Sequence, residues 1–285
     1  MRRSTVTLVG LIMLCTACGG GGSGGGERNE GKGKPAAAAS PSRTAPAPRP
    51  ADDGAAVRAA AAATARTTAR VDERIDMSDG TTRAGLTIRG ALDLAGGKGD
   101  LRVRLRSDGR PPVPLDEVFA GRTVYFRMPQ EPTGKTSWRS TRRDRAEVHY
   151  LFRAPMNDPT HVLRQVAMLP SARKVGEEKV NGTPTTHYRA EPDLKTLTHR
   201  MVTAQRTKLA SHWGDMRRYL LPRADVWVDR QGRVVRTRFG MSAGTGGEVS
   251  TLLTLSDLGK PVHAPTVPPG APAVDPSTIG GPLAG

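Results

Sequence analysis

The chain has 285 residues, 36% of them apolar and only 4% aromatic, with 43 basic residues against 27 acidic ones and a formal charge of +16. Its two cysteines, Cys15 and Cys18, both lie near the start, so the rest of the chain has no thiol for a disulfide, a thiolate zinc site or a cysteine nucleophile. The basic residues are spread along the chain rather than gathered on one helix or loop, so the charge reads as a solvated surface facing an anionic envelope and no nucleic-acid binding is expected.

Met1-Arg2-Arg3 followed by the apolar run from Val6 to Leu14 has the form of an export leader, and the run is too short to span a bilayer, which takes roughly 20 residues. The leader ends Leu14-Cys15-Thr16-Ala17-Cys18-Gly19, which resembles the bacterial lipobox, with Cys15 standing where leucine is usual. The resemblance implies that residues 1–17 are removed and that Cys18 carries diacylglycerol and palmitate, anchoring the chain to the extracytoplasmic face of the cytoplasmic membrane. An ordinary leader cleaved before Cys18 is the alternative. Residues 18–52 are Gly/Ser-rich and then Pro/Ala-rich and bury too little to order themselves; as a flexible leash of about 35 residues they would reach roughly 30–35 Å.

Asp52 and Asp53 can cap a helix over about 55–69, with Val57, Ala61, Thr64 and Thr68 along one stripe. Alternation then predicts strands near 71–77, 83–94, 100–107, 122–128 and 136–143; Leu101, Val103 and Leu105 against Arg102, Arg104 and Arg106 is the clearest case. Asn157-Asp158-Pro159 opens a second helix, stopped by Pro170, that carries Val162, Leu163, Val166 and Leu169. Strands near 172–180 and 185–190 turn through Asn181-Gly182. Asp193 caps a third helix bearing Leu194, Leu197, Met201 and Val202, and a less regular stretch reaches Leu221. Residues 223–258 read as a three-stranded meander, and 263–285 as a disordered Pro/Gly-rich tail. The foldable part, 53–262, is therefore α+β: about ten antiparallel strands in one sheet, with helices enough to cover only its inner face.

The chemistry-bearing motifs each fail on context. Gly134-Lys135-Thr136 lacks the leading glycine and following helix of a phosphate loop, and Ser171-Ala172-Arg173-Lys174 follows a helix-stopping proline where a nucleophilic serine would need to open a helix. The six histidines, His187 among them, show no metal-ligand spacing, and no carboxylate pair stands out for acid–base work. No enzyme, cofactor or metal is expected.

Two blocks carry a resemblance: Lys174-Val175-Gly176-Glu177-Glu178-Lys179-Val180-Asn181-Gly182-Thr183-Pro184-Thr185-Thr186-His187-Tyr188, and Val226-Trp227-Val228-Asp229-Arg230-Gln231-Gly232-Arg233-Val234. Together with the lipobox they are similar to the actinobacterial LppX/LprG-type lipoproteins, related in fold to the LolA/LolB lipoprotein carriers. The resemblance implies a strongly curved antiparallel half-barrel whose concave face is covered by helices over an apolar cavity, and transport or presentation of a lipid or acylated ligand in the cell envelope. On that reading Leu163, Val166, Leu169, Leu197, Met201, Val226, Val228, Phe239, Met241, Leu253 and Leu255 line the cavity, and arginines at its mouth hold an anionic headgroup. The partners implied are the lipid or acylated ligand, the membrane through Cys18 and an envelope protein, with the chain itself a monomer. The competing expectation is an interaction or sensor module whose core is filled, since apolar residues at strand and helix spacing also describe an ordinary interior.

Overall fold

The computed structural model describes residues 52–130, 133–243, 247–263 and 265–283; the expected leader, Cys18 and nearly all of the linker lie outside them. Helix α1 (Asp53–Thr64) starts on its predicted cap, the Asp52 carboxylate accepting from Ala55 N at 3.0 Å. It stops short of the expected end because Thr68 already belongs to β1 (Thr68–Ser78), where a β-branched side chain fits better than in a helix. Thr64 fixes the helix end against the sheet: its hydroxyl donates to Ala60 O and accepts from Val234 N, each at 2.8 Å.

A meander of β2 (Arg83–Asp93), β3 (Lys98–Ser107), β4 (Arg110–Ala120) and β5 (Thr123–Arg127) follows, then a small hairpin of β6 (Pro129–Gln130) and β7 (Lys135–Thr136), then β8 (Arg139–Arg142). The crossing segment carries a 3-10 turn (Pro155–Asn157) and α2 (Pro159–Ala167), and delivers the chain to β9 (Arg173–Val180) and β10 (Thr183–Ala190). After α3 (Leu194–Leu197) and α4 (Thr203–Met216) come β11 (Leu220–Asp229), β12 (Val234–Ala243) and β13 (Glu248–Ser256), the meander expected over 223–258.

Eleven strands form one antiparallel sheet in the order β8-β5-β4-β3-β2-β1-β13-β12-β11-β10-β9. The last strand pairs with the first, Leu253 opposite Glu73 and Leu255 opposite Val71, so the two meanders join at the centre and β8 and β9 become the far edges. The sheet curves without closing, a half-barrel, and the segment from β8 to β9 has to cross its concave face from edge to edge. α1 lies against α2 and over β9, β11 and β12 on that same face.

Besides the two-residue β6, β4 and α4 escape the sequence reading. β4 was hidden by Pro111, Pro112 and Pro114, which argue against a central strand; they are tolerated because β5 pairs only with Asp116–Ala120, leaving the proline-rich half of β4 without a ladder on that side. α4 has no side-chain cap and no buried residue, so it shows neither a start signal nor a clean apolar stripe. The strand expected over 136–143 is also divided, since β7 pairs with β6 and only β8 joins the main sheet.

The edges are protected differently. β9 is exposed along most of its length and carries Arg173, Lys174, Glu177, Glu178 and Lys179, charges that discourage further pairing. β8 is covered by the tail. Ser140 N donates to Pro272 O at 2.9 Å, Val274 N donates to Ser140 O at 2.8 Å, and the Thr141 hydroxyl donates to Val274 O. The segment read as disordered is thus ordered over 265–283: it continues into two short 3-10 turns, and Leu283 ends 2% exposed in the main core. A few apolar side chains and an unpaired strand edge order it, and neither is visible in local composition.

Candidate functional site

Cross-strand register makes the concave face a stack of rows. One row runs Val103, Ile88, Glu73, Leu253, Thr237, Val226; the next runs Leu86, Ile75, Thr251, Phe239, Ala224; the last runs Met77, Val249, Met241, Pro222. Leu163, Val166, Leu169, Leu197, Val226, Val228, Phe239, Leu253 and Leu255 all belong to one contiguous buried cluster. Leu253 and Val166 are 0% exposed, whereas side chains facing a void wide enough for water would keep accessible area. These nine of the residues expected to line a cavity are therefore buried within the core cluster. Met241 differs: it is half-buried in the last row beside Met77 and Val249, where the concave face runs out toward solvent. Leu169 lies past the end of α2, and Met201 lies past α3, buried in an isolated bridge to Val148 rather than on a helix.

Sequence reasoning missed the polar groups inside this core. Glu73 on β1 and Glu117 on β4 point inward and are 1% and 0% exposed, facing Arg153 of the crossing segment. Asn157 Nδ2 donates to Glu117 Oε1 at 3.1 Å, and Arg153 donates to Asn157 Oδ1 at 3.2 Å and to Pro282 O at 2.6 Å. Glu73 Oε2, Glu117 Oε2 and Arg153 Nε have no hydrogen-bond partner among the described residues. Burial outweighs the Arg153 charge and pushes the Glu73 carboxyl up to about 8; burial likewise pushes Glu117 well above the usual range against its Asn157 bond. Arg153 is depressed to about 10, again by burial. The signal in the sequence was an acid at an inward position of an alternating strand, Glu73 between Val71 and Ile75.

The tail enters this same interior. Leu283 is buried in the core cluster, Val274 and Ile279 pack against it, and the Arg153–Pro282 bond pins the last turn beside the 3-10 turn at Pro155–Asn157. Phe152, Met156 and Asn157 hold left-handed backbone (φ 59, 53 and 50), which side chains other than glycine adopt only at a cost of about 1 kcal/mol or more each. This strain sits where the crossing segment meets the tail, and the Thr251 hydroxyl, bonded to Phe152 O at 2.7 Å, helps to hold it.

At one rim, beside the β2–β3 and β4–β5 turns, lies a cavity of about 540 Å³ bordered by Arg122, Arg143, Arg164, His199 and Arg200, with Asp144 and Asp158. Asp158, which caps α2 through Thr160 N, is gripped by Arg143 at 2.6 and 2.8 Å; burial raises its pKa, but Arg143 more than cancels this and holds the carboxyl below its ordinary value. Asp144 is shared by Arg142 and Arg122 and is held far below the carboxylate range by those bonds. His199 stacks on the buried His161 at 5.0 Å, and both are depressed, His161 to about 3, by burial first and then by neighbouring positive charge.

The other candidate groups are structural. Ser171 is exposed, and Lys174 binds Asp53 through its amide and Glu177 through its ammonium. Gly134, at φ 66, makes the β6–β7 turn. His187 stacks on Trp227 at 4.5 Å, with Nε2 2.8 Å from Asp225 and Nδ1 3.1 Å from Glu178, knitting β9, β10 and β11 together on the outer face. Among the described residues no group of His, Cys, Asp or Glu is placed to hold a metal ion.

The architecture is that of an open antiparallel half-barrel with an apolar concave face, a helix-bearing strap across it and a basic cavity at the rim. No family model matches the chain. It is 28% identical over 198 residues to an uncharacterized 31.2 kDa protein of Streptomyces griseus from the rplA–rplJ intergenic region; the match takes in 67% of this chain and 61% of that relative's length. Among solved structures it is similar to LprF from Mycobacterium bovis (12% identity, TM-score 0.46, covering 75% of this chain and 95% of that one). It is also similar to the Mycobacterium tuberculosis lipoprotein LppX (16%, 0.38, 74% and 97%) and to an outer membrane lipoprotein-sorting protein domain from Vibrio parahaemolyticus (12%, 0.24, 67% and 84%).

Proposed function

We propose that this chain is a membrane-tethered extracytoplasmic protein that binds a lipid or acylated ligand against the concave face of its sheet. Cys18 is the anchor on this reading, and the ligand's apolar part takes the ground that the tail covers. The observation that carries it is the tail itself: a Pro/Gly-rich segment inserts Leu283 into the core and lays Val274 and Ile279 against it, as an acyl chain would lie. The half-buried row of Met77, Val249 and Met241 gives a flexible apolar margin in the last inward row of the sheet. No catalytic role is assigned to any residue.

A second reading, a non-enzymatic interaction or sensor module, is favoured by the burial in one core cluster of most residues expected to line a cavity. Native mass spectrometry of protein purified without detergent separates the two. The carrier reading expects a stoichiometric lipid mass, and tighter uptake of a fluorescent fatty acid by Leu283→Asp. Burying a leucine contributes about 1.5–3 kcal/mol, so freeing its place can raise affinity by roughly 10- to 100-fold. Protein that is consistently empty and takes up no fatty acid in either form leaves only the interaction module.

A further inference from the structure

Four arginines converge on the rim cavity from separate parts of the chain: Arg122 after β4, Arg143 after β8, Arg164 on α2 and Arg200 after α3. We propose that this cavity is an anion site that takes a phosphate group, carried either by a free phosphate ester or by a lipid headgroup. Against the four arginines the lining offers two carboxylates, Asp144 and Asp158, leaving an excess of two positive charges with the histidines neutral. Asp158 is committed to Arg143, and Asp144 to Arg122 and Arg142. The excess therefore rests on Arg164 and Arg200.

Neither of these two forms a salt bridge among the described residues. Arg164 stands exposed on α2, its side chain with no salt bridge or hydrogen bond among the described residues. Arg200, on left-handed backbone at φ 57, donates only to carbonyl oxygens, those of Arg143 at 3.1 Å and of Ala146. These bonds orient the guanidinium without cancelling its charge. The crowding of like charges registers on the neighbours: after burial, Arg164 is the largest influence lowering the proton affinity of both Arg200 and His199, opposed at Arg200 by Asp158, Asp144 and Glu147. His199 Nε2 and both nitrogens of His161 are buried without a partner among the described residues.

Two guanidinium groups without a salt bridge, on different parts of the chain, suit a tetrahedral oxyanion, which presents several acceptor edges at once. A volume of about 540 Å³ lies within the usual range of small-molecule sites and leaves room for a substituent beside the phosphate. With a lipid headgroup as its source the assignment rests on the proposed lipid-binding function; with a free phosphate ester it stands apart from it.

Calorimetric titration at constant ionic strength with inorganic phosphate, glycerol 1-phosphate and monomeric dihexanoyl phosphatidylglycerol tests it. The expected result is saturable binding of at least one probe, weakened about tenfold in Arg164→Gln, as the loss of a charge-assisted bond implies. Arg104→Gln removes the same charge from an exposed site on β3 and leaves the affinity unchanged. Binding of glycerol 1-phosphate points to a free ester as the source, and binding of the lipid alone to a headgroup. No saturation with any probe, or equal weakening in Arg164→Gln and Arg104→Gln, overturns the proposal.

Discussion

Replacing Glu73 by glutamine should make the protein more stable at neutral pH, by an amount that the environment of Glu73 fixes. Its carboxyl is fully buried between Ile88 and Leu253, and burial raises its pKa from 4.5 to about 8 even with Arg153 nearby. The folded state thus keeps this proton at pH values where the unfolded chain has lost it. The stability that the protonated side chain confers is complete below pH 4.5 and is lost progressively until the pH passes about 8. Each unit inside that window costs about 1.4 kcal/mol, so the disadvantage relative to an uncharged isostere grows from under about 1 kcal/mol at pH 5 to about 4 at pH 7.5. Urea denaturation of both forms at the two pH values should show the Gln variant gaining about 3 kcal/mol on the parent between them. A difference that does not change with pH would mean that Glu73 is ionised throughout and that its attraction to Arg153 defeats burial, which would refute the account of the interior as a place where acids are held neutral.

Two further outcomes test other parts of the structure. Arg143→Gln leaves Asp158 buried without its partner, and breaking such a pair costs about 3–5 kcal/mol, read as a lower urea midpoint; the loss should shrink at acid pH as Asp158 protonates, because its pKa is depressed in the folded state. Metabolic labelling with palmitate should mark the chain and disappear in Cys18→Ala; labelling that survives the substitution removes Cys18 as the anchor.

Most of the sheet was legible because alternation is a local property. On β1 and β3 the inward Val71, Ile75, Leu101 and Val103 are each bracketed by charged residues, and the structure keeps that order, with Val71 and Ile75 inside and Arg70, Asp72 and Arg74 outside. Gly90, which interrupts the apolar set of β2, also has a physical cause: a Cβ there would sit 2.0 Å from Asp100 O on β3, so the strands approach too closely for a side chain. β4 was illegible for the opposite reason. Its prolines carry a genuine penalty, and only the shortness of β5 removes it, a fact about pairing that no window of sequence contains.

The candidate site was harder to read because its parts are distant in sequence and obey no period. Residues 153–158 touch every piece of it: Arg153 binds Pro282 of the tail, Asn157 binds Glu117 of β4, and Asp158 binds Arg143 at the cavity. The same residues read locally as a loop leading to a helix cap, which is true of Asp158 and silent about the others. Their positions depend on left-handed backbone at Met156 and Asn157, residues that do not advertise it as glycine would. The interior of this half-barrel is therefore defined less by the apolar strands that frame it than by a short strained turn, and this turn ties the tail that places Leu283 in the core to the arginine-lined rim.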